Sequence, residues 1–146
     1  MTTLIQQRTP YDCSIASLAM AMGRTYEDVL ETVGDLFHPV QGMRAVGSAL
    51  KLLGLKQDYD NGLPTDECDF VSLHRDWCIH PALFRTWIWG RRSLVSVPSL
   101  NINDADALHM VYYDGKRVYD PSLFRTYDSW TKLLPNEAII FRDKSA

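Results

Sequence analysis

The chain has 146 residues, 46% of them apolar and 23% charged, with a formal net charge of −3 and a pI near 5.7. These values suit one soluble domain over residues 1–146 that can bury a real core without metal or disulfide staples, and they exclude a disordered chain. The acidic balance gives no electrostatic support to nucleic-acid binding, and the longest apolar run, Ile15 to Met22, is too short to span a bilayer and carries Ser17.

The opening MTTLIQQR has no charged segment leading into an apolar stretch, so no signal peptide and a cytoplasmic protein are expected. Pro10 and Asp12 delay the first helix, which is predicted from Cys13 to about Met22 with Asp12 as its N-cap and Gly23 as its stop. Its residues are small or apolar all round, the mark of a buried helix. A second helix is predicted over about Tyr26 to Asp35, opened by a capping-box-like Thr25 and Asp28. A third runs from about Met43 to Leu53, with Met43, Val46, Leu50 and Leu53 at helical spacing and Gly54 after them.

Residues 58–80 hold Asp58, Asp60, Asp66, Glu67, Asp69 and Asp76 among isolated apolar residues, and an irregular, partly exposed region is expected there. A short helix from Pro81 to Trp89 follows. After Gly90 the pattern turns to strands: Ser93–Val97 ending at Pro98, His109–Tyr113, Lys116–Tyr119, and Ala138–Arg142. Asp114-Gly115 marks a tight hairpin between the second and third of these. A helical first half followed by antiparallel strands is an α+β order.

Three cysteines, Cys13, Cys68 and Cys78, have no framework spacing and read as thiols in a reducing compartment. Cys68, His74, Cys78 and His80 follow a C-x5-H-x3-C-x-H order that does not match the paired spacing of zinc sites, so no metal is expected. Trp77, Trp87 and Trp89 are expected mainly in core packing, and His38 in a loop.

Cys13 stands apart. A cysteine that attacks a carbonyl needs its thiolate, which a helix N-terminus and a nearby imidazolium both favour. Cys13 opens a helix. His109 begins a hairpin strand and Asp120 follows the other. A two-residue turn at Asp114-Gly115 sets Tyr113 opposite Lys116 and, further down the ladder, His109 opposite Asp120. The Asp120 carboxylate is then expected to hold His109 Nδ1 and leave Nε2 for the thiol. Asn101 and Asn103 are fallback orienters. The Cys13 N–H and the Gln7 side-chain amide are the candidate oxyanion donors.

Gln7-x5-Cys13, Asp12-Cys13, the helix Ile15-Ala16-Ser17-Leu18-Ala19-Met20 and His109-Met-Val-Tyr-Tyr…Val118-Tyr-Asp120-Pro121 together resemble the peptidase domain of bacteriocin-processing (double-glycine leader) ABC transporters. The resemblance spans almost the whole chain in order. It implies a papain-like fold, with the catalytic helix of the N-terminal half packed on a C-terminal antiparallel sheet. It also implies a cysteine peptidase that hydrolyses a peptide or isopeptide bond in a peptide or protein substrate and needs no cofactor or metal; from composition, no membrane or nucleic-acid partner is expected. Gln7, Cys13, His109 and Asp120 take the roles of oxyanion donor, nucleophile, base and orienter. Ser14 stands where that family usually has glycine, beside the approach to the thiol. No Walker-type glycine loop is present, so leader export is not implied, and the stand-alone form is similar to phage and bacterial accessory proteins. The same thiol machinery also serves acyltransferases and deamidases, and a fold of this kind with a vestigial triad serves as a binding or inhibitory module.

Overall fold

A computed structural model describes residues 3–8, 12–36, 42–58, 69–74, 84, 86, 88–98, 108–122, 125–128 and 137–142. Three α-helices come first among them: α1 (Cys13–Met22), α2 (Tyr26–Val33), continued by a 3-10 turn over Gly34–Leu36, and α3 (Gly42–Leu52). Seven strands follow: β1 (Gln57–Asp58), β2 (Phe70–His74), β3 (Ser93–Pro98), β4 (Leu108–Tyr113), β5 (Val118–Asp120), β6 (Arg125–Tyr127) and β7 (Glu137–Phe141). They form one sheet in the order β1-β2-β7-β3-β4-β5-β6. Every pairing is antiparallel except β1 with β2. The protein is α+β.

The helices end where glycine permits. Gly23 takes a left-handed φ of 64°, and the Arg24 N–H closes back on the Ala19 carbonyl at 3.0 Å. Gly54, at φ 94°, ends α3 in the same way, with the Leu55 N–H on the Leu50 carbonyl. Thr25 caps α2 by accepting from the Asp28 N–H at 3.1 Å. The expected capping by Asp12 is not made. Its side chain makes no cap bond to α1 and instead accepts from the Arg8 N–H and the Tyr26 hydroxyl.

Strand alternation sorts the core into two layers. Phe70, Leu94, Met110, Tyr112, Ile139 and Phe141 pack with α1, α2 and α3. Val71, Val95, Val111, Tyr113, Val118 and Ile140 belong to a second layer, closed by Phe84 and Ile88. Phe84, Thr86 and Ile88 are helical, in agreement with the short helix expected there; the rest of 81–89, Trp89 excepted, lies outside the described residues. Trp89 is 65% exposed, so it is not core. Trp77, Trp87 and His38 lie outside the described residues.

Residues 58–80 are not irregular throughout. Phe70–His74 is an internal strand between β1 and β7, with Phe70 and Val71 both fully buried. The Asp69 carboxylate, read as part of an exposed acidic stretch, accepts from the Lys56 N–H at 2.7 Å and pairs with Arg142.

The hairpin between β4 and β5 is longer than expected. Tyr113 pairs with Val118 and Tyr112 with Tyr119, leaving a four-residue loop over 114–117. Asp114 builds it: Oδ1 accepts from the Lys116 and Arg117 N–H groups at 2.8 and 2.7 Å. Gly115 has φ 98°, and a Cβ there would sit 3.2 Å from the Gly90 carbonyl oxygen. This loop sets the register that brings His109 toward Asp120.

Candidate active site

The N-terminal end of α1 meets β4 and β5 at a cluster of buried polar groups. Cys13 is 9% exposed, His109 6% and Asp120 2%. Continued beyond the observed pairs, the hairpin register sets Val111 opposite Asp120, so His109 lies diagonal to Asp120 on the same face. The two still meet: His109 Nε2 lies 2.7 Å from Asp120 Oδ1. This corrects the expected nitrogen. Nδ1 is therefore the ring nitrogen left for the thiol.

Asp120 is itself held. The hydroxyl and the N–H of Ser122 donate to the same Oδ1 at 2.7 and 2.9 Å, an Asx-type turn across Pro121. Burial pushes the Asp120 carboxyl up, but His109 and Ser122 together outweigh it and hold it below the usual carboxylate range. Burial likewise pushes the His109 imidazole down. The hydrogen bond to the Asp120 carboxylate, with the Cys13 sulfur nearby, outweighs that and lifts it to about 9. The site favours an imidazolium beside the sulfur.

The thiol reaches β4 at its edge. The β4–β5 ladder pairs only Tyr112 and Tyr113, and two residues on, the Met110 N–H donates to Cys13 Sγ at 3.4 Å. One turn along α1, the Ser17 hydroxyl donates to the Met110 carbonyl at 3.0 Å.

Gln7 is brought to the same end by its main chain. Its N–H donates to the Pro121 carbonyl at 3.0 Å, tying it to the residue after Asp120. The next N–H, of Arg8, donates to Asp12 Oδ2 at 3.0 Å, tying it to the residue before Cys13. Two consecutive peptide groups thus hold the Gln7 segment against both halves of the cluster, and the Gln7 amide oxygen is out of solvent. The Tyr26 hydroxyl donates to the same Asp12 carboxylate. Burial and that carboxylate push the phenol up to about 12, so it stays a donor. Ser14 is buried beside Cys13.

No protein-family model, curated protein or solved structure matches the chain. The chemistry of the site rests on its own geometry.

All four residues singled out in the sequence, Gln7, Cys13, His109 and Asp120, lie at this end of α1. Asn101 and Asn103 lie outside the described residues, as do Cys68, Cys78 and His80 of the zinc pattern. Among the described residues no group of three or more His, Cys, Asp or Glu side chains could hold a metal ion. No described helix is long and apolar enough to cross a membrane. Sequence reasoning missed Ser122, although Asp-Pro-Ser is a recognisable Asx-turn pattern. It missed Ser17 as well, whose four-residue spacing from Cys13 puts both on one helix face. Nothing local in the sequence ties Tyr26 to Asp12.

Proposed function

We propose that the protein is a papain-like cysteine peptidase, cleaving a peptide or isopeptide bond in a peptide or protein substrate and needing no metal or organic cofactor. The observation that carries this reading is the buried His109–Asp120 pair at 2.7 Å beside the buried Cys13, whose sulfur accepts from the N–H of Met110, the residue after His109. A structural cysteine needs no such partners. A buried imidazole held in its charged form by a carboxylate, next to a buried thiol, is costly to assemble without a chemical use.

In this mechanism the thiol proton passes to His109 Nδ1, while Asp120 keeps Nε2 and fixes the ring. Sγ attacks the carbonyl carbon, and the carbonyl oxygen takes the negative charge. The Cys13 N–H, at the first position of α1, and the Gln7 side-chain amide donate to that oxygen. The imidazolium gives its proton to the departing amine, and the C–N bond breaks to leave a thioester on Cys13. Water, deprotonated by His109, attacks the thioester and releases the acid and the thiol.

A peptide-library digestion followed by mass spectrometry tests the reading. Cleavage at defined bonds by the wild-type chain, absent from Cys13→Ala, is expected. A product carrying an added amine in place of water would move the reading to acyl transfer. No turnover of any amide or thioester would remove it.

A further inference from the structure

Ser17 sits in the middle of an apolar helix with its side chain fully out of solvent. A hydroxyl there is costly unless it is hydrogen-bonded. Its partner is the Met110 carbonyl, at 3.0 Å, in the residue that follows His109. The N–H of that same residue serves Cys13 Sγ at 3.4 Å. Along a strand, residues two apart direct their polar groups to the same side, and at Tyr112 that side belongs to β5. At Met110 the ladder with β5 has ended, and Cys13 and Ser17 of α1 meet the exposed strand edge instead. The helix thus stands in for a strand over one residue, and that residue follows His109 in the chain and bonds the thiol through its N–H.

We propose that Ser17 is a positioning residue for the thiol: by holding the Met110 carbonyl, it keeps the Met110 N–H aimed at Cys13 Sγ and fixes α1 against the strand that carries His109. The proposal rests on Cys13 being the nucleophile. An N–H donated to sulfur favours the charged form over the neutral one. A donor held in place beforehand needs no reorganisation when the charge develops. Ser17 touches no reacting atom, because its hydroxyl is engaged by the carbonyl.

The test is the rate of Cys13 alkylation by iodoacetamide as a function of pH, mapped by mass spectrometry, with a melting temperature for each protein. Ser17→Ala is expected to react about fivefold more slowly than wild type near pH 6, with the gap closing at high pH. Ser17→Thr, which keeps the hydroxyl, is expected to recover most of that loss. Should the alanine variant not fold, Ser17→Cys, close in size but a much weaker donor, replaces it and is expected to show the same slowing. A folded alanine or cysteine variant whose profile coincides with wild type overturns the positioning role alone. A wild-type Cys13 that reacts no faster than Cys68 and Cys78 near pH 6 overturns the nucleophile reading, and this proposal with it.

Discussion

The two ends of α1 differ in what surrounds them. At its C-terminal end a groove of about 990 Å³ opens beside residues 3–6, lined by Leu4, Ile5, Met20, Tyr26, Leu55 and Tyr112. None of Cys13, His109 and Asp120 lines it. The cations around it are already engaged. Arg92 Nη1 donates to the Ala21 carbonyl at 2.7 Å, where the helix dipole is negative. Arg24 pairs with Asp28 at 3.1 Å, and Arg8 lies 4.0 Å over the Tyr26 ring and pairs with Glu27. At the N-terminal end Asp12, Cys13, Ser17, His109 and Asp120 are all buried and each is engaged in a directed hydrogen bond. The size of an opening is therefore a poor guide to chemistry here. The density of buried, mutually held polar groups is the better one, because such groups are expensive to bury and the fold has placed them together.

His109→Ala strikes hardest at this contrast. It removes the proposed base and leaves the Asp120 carboxylate buried without its charge partner. Cleavage is expected to fall about 10²- to 10⁴-fold, and urea unfolding to show a loss of about 3 kcal/mol or more. A variant as stable as wild type would break the comparison.

The pH dependence follows from the same pair. His109 is raised from 6.5 to about 9, so its contribution to stability is fully present below pH 6.5 and is lost as pH rises through about 9. Asp120 is depressed below 3.8, so its contribution is present above 3.8 and is lost as pH falls through its folded value. Thermal melts of the wild type are expected to decline above pH 6.5, losing on the order of 2–3 kcal/mol by the alkaline end. In His109→Ala that alkaline decline should flatten.

Asp12→Ala, a smaller change, takes the acceptor from the Arg8 N–H and the Tyr26 hydroxyl and should cost about 1–3 kcal/mol in urea titration. Asp12→Asn keeps an acceptor oxygen and should lose less. A loss confined to helix capping would be the same in both variants. The smallest effect belongs to the groove end: Arg24→Ala should stay within about 0.5 kcal/mol of wild type and leave Cys13 alkylation unchanged.

The parts of the molecule that were legible in the sequence are those that local chemistry decides. The start of α1 at Cys13, its stop at Gly23, the cap at Thr25 and the strand grammar after Gly90 all follow from residues within a turn of the feature. What was misread depends on partners far along the chain. Asp12 looks like a cap, but the Tyr26 hydroxyl and the Arg8 N–H compete for its carboxylate. The strand Phe70–His74 starts without an alternating pattern because Phe70 and Val71, in different core layers, are both buried, and its place beside β7 makes it a strand. The hairpin is the most instructive case. Asp114 draws in two N–H groups and lengthens the loop, which slides the register. The slide preserves the face, so His109 and Asp120 still meet, but it changes which imidazole nitrogen Asp120 holds.

We propose that the N-terminal end of α1 activates Cys13 through His109. Treating the protein with a stoichiometric thiol alkylator near pH 6 and mapping the adducts by mass spectrometry tests it most directly. Cys13 is expected to label well ahead of Cys68 and Cys78, with that preference lost in His109→Ala. Equal, slow labelling of all three cysteines in the wild type would contradict it.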